Sequence, residues 1–210
     1  MFRVYGDGVL QILKFERWRD GTLELQVGLQ SMYSEMLPQW FTSSGCIPRY
    51  HLVNIIGKRG ITYMHLHRDF HEQFVDEQLQ ILQSDGIPWL NSIATQYQLI
   101  EGICYLETSW GGKMRWNDAH KIAPYLYSGD YSSAEQVLTA ILDQHESARK
   151  ANKTLFSPEK YAIYLETRKK WDEPLISLLD TIRSKDETAI QNYLSRNYAQ
   201  NVQYAKFCMK

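Results

Sequence analysis

The chain has 210 residues, 44% of them hydrophobic and 22% charged, which is ordinary for a globular protein with a well-buried core. Its net charge of −1 provides no overall field that would attract nucleic acid or an anionic membrane. The first residues lack the apolar run of a signal peptide, and no stretch approaches the roughly 18 apolar residues of a membrane span. Cys46, Cys104 and Cys208 are far apart and odd in number, which is typical of reduced thiols. We therefore expect a cytoplasmic protein.

The first third of the chain has the alternating pattern of β-strands. Residues 22–29 place apolar side chains on one face, and Val9 to Trp18 is the natural antiparallel partner. Arg19-Asp20-Gly21 predicts a tight hairpin between them, and Gly6-Asp7-Gly8 predicts an earlier turn. The apolar face must be covered by other elements, and it consists of Leu23, Leu25, Val27 and Leu29.

A connector rich in aromatic residues, Met36 to Leu52, follows these strands. Large aromatic side chains bury roughly 150–250 Å² each, so the connector is more economically explained as a plug of the core than as a binding loop. The alternative stays open, because Trp40 and Arg49 are residue types suited to contact a ligand. His51 to Ile56 and Ile61 to His67 then predict a second strand pair.

From Asp69 onward the apolar spacing is helical. The spacing of Asp69 and Glu72 is that of a capping box, and Gly86 with Pro88 predicts the end of this helix. A second helix is expected to present Trp89, Ile93, Tyr97 and Ile100 on one side, so that both helices cover the sheet.

The remainder of the chain is predicted to be helical. Ser132 to Glu135 has capping-box spacing, Ser157-Pro158 is typical of a helix start, and residues 185–207 predict a closing helix. The segments 128–134 and 184–189 are faintly similar, as in helical-hairpin repeats. We therefore predict an α+β domain over residues 1–110, with an antiparallel sheet covered by helices, and an all-helical extension over residues 111–210 that packs on it.

Two histidines at alternate strand positions, His65 and His67, would share a face, and His71 follows shortly after them. Three imidazoles could hold zinc or another divalent metal and support a metal-dependent hydrolase. The simpler interpretation is that His65 and His67 are half-buried at a sheet edge and that no cofactor is bound, because Asp69 is assigned to helix capping and no further ligand completes the set.

The loop between the two regions carries Trp110, Lys113, Arg115 and Trp116 on either side of a double glycine. These residue types are enriched at protein interfaces, so the loop is the best candidate for partner contact. The competing interpretation packs both tryptophans between the sheet's helical cover and the helical extension.

Three short motifs give the chain a family resemblance over about residues 1 to 110. They are Gly6-Asp7-Gly8-Val9-Leu10-Gln11, Val27-Gly28-Leu29 and Gly86-Ile87-Pro88-Trp89-Leu90. The order of these motifs resembles the bacterial family called domain of unknown function 4304. The resemblance implies a soluble bacterial α+β domain with no catalytic residues to transfer, and this type of domain is similar to immunity proteins that neutralise toxins by binding.

Because no catalytic constellation is complete, the sequence favours a non-enzymatic protein-binding module of immunity-like type, with a protein partner such as a toxin. The metal-dependent hydrolase is the alternative.

Overall fold

The computed structural model describes residues 2–17, 23–35, 49–51, 76, 79–109 and 118–208. The predicted hairpin at Arg19 to Gly21, the strand Ile61 to His67 and the helix start at Asp69 lie outside these residues.

Four antiparallel strands form a sheet in the order β1-β2-β3-β4. Val9 pairs with Ser31 and Arg17 with Leu23, so the two long strands are in register along their whole length, as the alternating pattern predicts. The predicted α+β class is confirmed. The fourth strand pairs with Gln26, Val27 and Gly28 of the third and includes His51, the first residue of the strand expected from His51 to Ile56. Residues 52–56 of that expected strand lie outside the described part of the chain. The strands are β1 (Phe2–Tyr5), β2 (Val9–Arg17), β3 (Leu23–Ser31) and β4 (Arg49–His51).

The predicted turn at Gly6 to Gly8 is confirmed, and it contacts the helical layer. Gly6 has a φ of 51° and Gly8 a φ of 74°, in the left-handed region that favours glycine. The N–H of Asp7 donates to the carbonyl of Ala94 at 2.6 Å. A Cβ on Gly6 would lie 2.1 Å from that same carbonyl oxygen, so only glycine permits this contact.

In the described part of the chain, six α-helices of defined bounds follow the sheet, and residues 79–81 before them are also helical. A π-helical turn (Leu82–Gly86) runs directly into the first of them. The helices are α1 (Ile87–Asn91), α2 (Gln96–Ser109), α3 (Asp118–Tyr127), α4 (Tyr131–Leu155), α5 (Pro158–Arg183) and α6 (Glu187–Cys208).

The predicted helix end at Gly86 and Pro88 is wrong, because the helical backbone continues to Asn91. Pro88 has no N–H to donate, and the chain accommodates it by widening the preceding turn. The N–H of Ile87 donates to the carbonyl of Leu82, five residues earlier. The break therefore falls later, between Asn91 and Gln96.

The apolar face expected from Trp89 to Ile100 is therefore divided between two helices. Ile100 is buried, but Tyr97 is 63% exposed, so its predicted place on the buried side is wrong. The buried face of α2 carries Leu99 and Ile103 instead.

The first core lies between the sheet and this helical cover. Val9 and Leu29 pack with residues of α1 and α2, as the need to cover that face predicts. The buried Gln11 donates to the carbonyls of Leu90 and Ile93 at 2.6 and 3.1 Å, which ties the end of α1 to β2. On the other side of the sheet Leu10 and Gln30 are also buried, so both faces are covered at this end.

The second core lies in the helical part, where the pattern of core residues in one helix pair is repeated in the next. Each buried residue of this apolar cluster on α3 and α4 has a counterpart in the cluster on α5 or α6, displaced along the chain by the same interval. Helical hairpins that repeat in this way bury their apolar faces against each other. The pairs are Ile122 with Leu178, Ala123 with Leu179, Leu126 with Ile182, Ala134 with Ile190, and Leu138 with Leu194.

The turns of the two hairpins have the same geometry. Gly129 and Lys185 have positive φ values, 78° and 53°, and each is followed by an aspartate. Asp130 accepts from the N–H of Ser133 at 3.1 Å, and Asp186 accepts from the N–H of Ala189 at 2.9 Å. Asp130 therefore caps α4 in place of the predicted capping box at Ser132, because the turn places its carboxylate nearer the free N–H groups.

Side chains of α3 and α6 join the helical part to the sheet. Asn201 donates to the carbonyls of Met32 and Ser34, both at 2.8 Å, at the end of β3. Tyr127 donates to the carboxylate of Asp7 at 2.6 Å, and its ring lies 4.4 Å from that of Tyr33. That hydrogen bond is the main reason why the pKa of Tyr127 is raised above its usual range.

Replacing Asn201 with alanine should lower the free energy of unfolding by about 2–3 kcal/mol, because two buried carbonyls lose their donor. Chemical denaturation measures this change. Asn192→Ala, on the exposed side of the same helix, is the matched control and should change stability by less than about 0.5 kcal/mol. Equal losses for the two variants would contradict the anchoring role.

Burial lowers the pKa of His120 to about 4, below its ordinary value of 6.5. The unfolded chain therefore binds a proton first as the pH falls, and the folded state loses stability from about pH 6.5 downward. We expect the wild type to lose about 1–2 kcal/mol more than His120→Gln between about pH 7 and pH 5. Parallel pH profiles of the two proteins would be inconsistent with a neutral, partly buried His120.

Candidate functional site

Most residues proposed from the sequence as site residues lie outside the described part of the chain. Arg49 is placed in β4, opposite Gly28 of β3, and nothing further is described of its side chain. The residues outside are Trp40, His65, His67, His71, Trp110, Lys113, Arg115 and Trp116.

The most distinctive surface of the described chain is an arm formed by residues 147–171, the end of α4 and the start of α5. No side chain in the arm is buried. The last fully buried residues of the second core are Leu138 on α4 and Leu178 on α5, and the partly buried Leu142 and Leu175 pack against it. The arm extends beyond these residues as two helices without an apolar core.

Polar and aromatic contacts hold the two helices of the arm together. The hydroxyl of Tyr161 donates to the carbonyl of Arg149 at 3.2 Å, across the two helices. Phe156, the residue that caps the end of α4, meets Tyr164 of α5 edge-on at 5.6 Å. Within α5, the guanidinium of Arg168 lies over the same tyrosine ring at 5.6 Å. Contacts of this kind contribute on the order of 1 kcal/mol each, so the arm is less stable by itself than the bundle.

A buried carboxylate fixes the base of the arm. Asp172 is 3% exposed, interacts with Nδ1 of His145 at 2.7 Å and accepts from the guanidinium of Arg149. Arg149 also donates to Glu146 at 2.9 Å, and this bond raises the pKa of Arg149 and lowers that of Glu146. Because a buried carboxylate is costly without partners, these bonds fix α4 against α5 at this level.

An aspartate that orients a histidine also occurs in hydrolases, where the second ring nitrogen activates a hydroxyl or thiol. Within the described residues, no hydroxyl or thiol hydrogen-bonds to the ring of His145. The pair therefore fits a structural role at the base of the arm. In the same part of the chain, no group of three or more His, Cys, Asp or Glu side chains is arranged to hold a metal ion.

The arm exposes large apolar side chains. Leu155 is 73% exposed, Ile163 70% and Trp171 61%. Single exposed apolar residues are common, but several on one small element indicate a contact surface.

Charge is also unevenly distributed between the arm and the rest of the chain. The arm carries seven Lys or Arg residues and two Glu, a surplus of five positive charges, whereas the whole chain has a net charge of −1. The rest of the protein is therefore acidic. A charge count over short windows reveals this pattern, and the total charge conceals it.

The described helices do not include one whose length and apolar composition would allow it to cross a bilayer. Comparison of the chain with family models, with curated proteins and with solved structures found no match.

Truncating Asp172 to alanine should lower the free energy of unfolding by about 3 kcal/mol, because Arg149 and His145 lose a buried partner. The adjacent Glu173→Ala removes a carboxylate that is mostly exposed and 4.0 Å from Lys169, so it should cost less than about 0.5 kcal/mol. Thermal or denaturant unfolding of both variants measures the contrast. A cost for Asp172→Ala as small as that of the control would contradict its role at the base.

Proposed function

We propose that this protein is a non-enzymatic protein-binding module and that the arm is its principal contact surface. The observation that carries the proposal is the exposure of Leu155, Ile163 and Trp171 on an element without a core of its own. Tryptophan and arginine are among the residue types enriched at binding hot spots, and the arm carries Trp171 close to Arg168.

The free energy gained by burying these exposed side chains favours association through them. Burying an exposed aliphatic or aromatic side chain is worth roughly 1.5–3 kcal/mol. Trp171 and Ile163 together therefore offer several kcal/mol to a partner that covers them, less the cost of association. The fixed base at Asp172 reduces that cost, because α4 and α5 are already held together before a partner arrives.

An immunity-like role, in which a toxin is the partner, fits this surface and belongs to the proposal. The loop from Trp110 to Trp116 and the polar part of the connector from Met36 to Leu52 are proposed as additional contacts.

Site-specific photo-crosslinking in the native cells tests the role of the arm. A benzophenone side chain at Ile163 should give a discrete adduct with a second polypeptide, and Trp171→Ala should abolish it, because both positions face the same partner. A benzophenone at Tyr97, equally exposed but on α2, is the matched control and should give no such adduct.

Circular dichroism of each variant confirms that the fold is intact. An intact protein that forms no adduct at Ile163, or forms the same adduct at Ile163 and Tyr97, would remove the arm from the proposed function.

A further inference from the structure

One mainly apolar seam, interrupted on the arm by Thr167, runs along α5 from the second core onto the arm. Ile163, Thr167, Trp171, Pro174 and Leu178 follow each other at intervals of three and four residues. At 3.6 residues per turn they lie within about 80° of one another around the helix. Leu178 is buried in the second core, whereas Ile163 and Trp171 are exposed.

The seam is therefore the continuation of an established helix–helix interface. At Leu178 it packs within the bundle, and on the arm the described part of the chain leaves it open. The seam is about one residue wide, and its sequence spacing of three and four residues is close to that of a coiled-coil interface. That width matches a single helix lying along α5 and is too narrow for the broad apolar face of a helix that lies in a membrane.

The charged residues beside the seam indicate which kind of partner helix would bind there. Lys160 lies at the outer end of the seam and Lys170 lies beside Trp171, both exposed. Neither forms an ion pair with the described residues, and the arm as a whole has a surplus of five positive charges.

We propose that the seam binds an acidic amphipathic helix of a protein partner, with apolar side chains on Ile163 and Trp171 and carboxylates beside Lys160 and Lys170. This inference rests on the proposed protein-binding role of the arm and specifies the partner's chemistry. The binding mode is that of a helix in a groove, in which residues spaced by three and four anchor the contact.

A fluorescein-labelled helical peptide of about three heptads, with leucine in the seam positions and glutamate beside them, tests the proposal. Fluorescence anisotropy should show saturable binding to the full chain, and Trp171→Ala should weaken it about 30-fold. A peptide of the same composition with its leucines scrambled should bind at least about 30-fold more weakly, because its apolar residues no longer form a stripe.

Reversing the charge of Lys160 and Lys170 distinguishes binding at the seam from general electrostatic attraction to the arm. Lys160→Glu with Lys170→Glu should weaken binding about fivefold, and a peptide with lysine in place of glutamate should recover it. Lys153→Glu with Lys169→Glu changes the net charge equally but lies off the seam, and it should have less than about a twofold effect. Equal losses for the two double variants would overturn the proposal.

Two further results would also overturn it. One is equal affinity for the designed and scrambled peptides. The other is Trp171-dependent binding to phosphatidylglycerol vesicles without binding to the peptide, which would assign the seam to a membrane surface. A crosslink at Ile163 without peptide binding would leave the protein-binding role intact and reject only the acidic helix.

Discussion

The two matching interhelical turns determine the architecture of the helical part. Each combines a residue of positive φ with an aspartate cap, and each places the buried residues of its hairpin within a few helical turns of itself. Because Leu138 and Leu194 are the outermost buried pair, the shared core is confined to one end of the long helices. Within the described residues, the distal parts of α4 and α5 have no equivalent apolar core, and the arm is the direct result.

A helical pair without a core needs another source of order, and here polar contacts supply it. Asp172 is the only buried charged residue of α5, and both of its partners lie on α4. Pro174 follows two residues later and deprives the carbonyl of Lys170 of its usual helical partner. The helix is thus weakened where the core ends and is tied to its neighbour at the same level. The contacts of Asp172 fix the direction of the arm, and the hydrogen bond lost at Pro174 is a modest cost in stability.

Local patterns predicted local structure well. The alternation in β2 and β3, the glycines at Gly6 and Gly8 and the Ser157-Pro158 helix start each depend on neighbours in sequence, and the structure contains all three. The expected break at Pro88 failed because a π-helical turn absorbs a proline, and no propensity rule anticipates that outcome. The cap at Asp130 was missed because the turn geometry, set by Gly129, outweighs the serine pattern.

The candidate site was harder to predict, because exposure is a property of the assembled fold. The pattern of α5 gives Ile163, Trp171 and Leu178 the same apolar role, and only the position of the second core decides that Leu178 is buried and the other two are not. The faint similarity of residues 128–134 and 184–189 was a real trace of the repeat. It marked the turns, however, and the surface with functional potential lies at the opposite end of the helices.

Apolar contact and charge would make different contributions to the binding proposed for the arm. A surface ion pair is worth about 0–1 kcal/mol and is screened over about 8 Å at physiological salt, whereas burying Trp171 or Ile163 is worth roughly 1.5–3 kcal/mol. The seam therefore sets how long a complex lasts. The basic residues act earlier, by raising the rate of encounter with acidic surfaces and disfavouring basic ones. Since the rest of the chain is acidic, the same charges would also orient the proposed acidic partner toward the arm and away from the remaining surface.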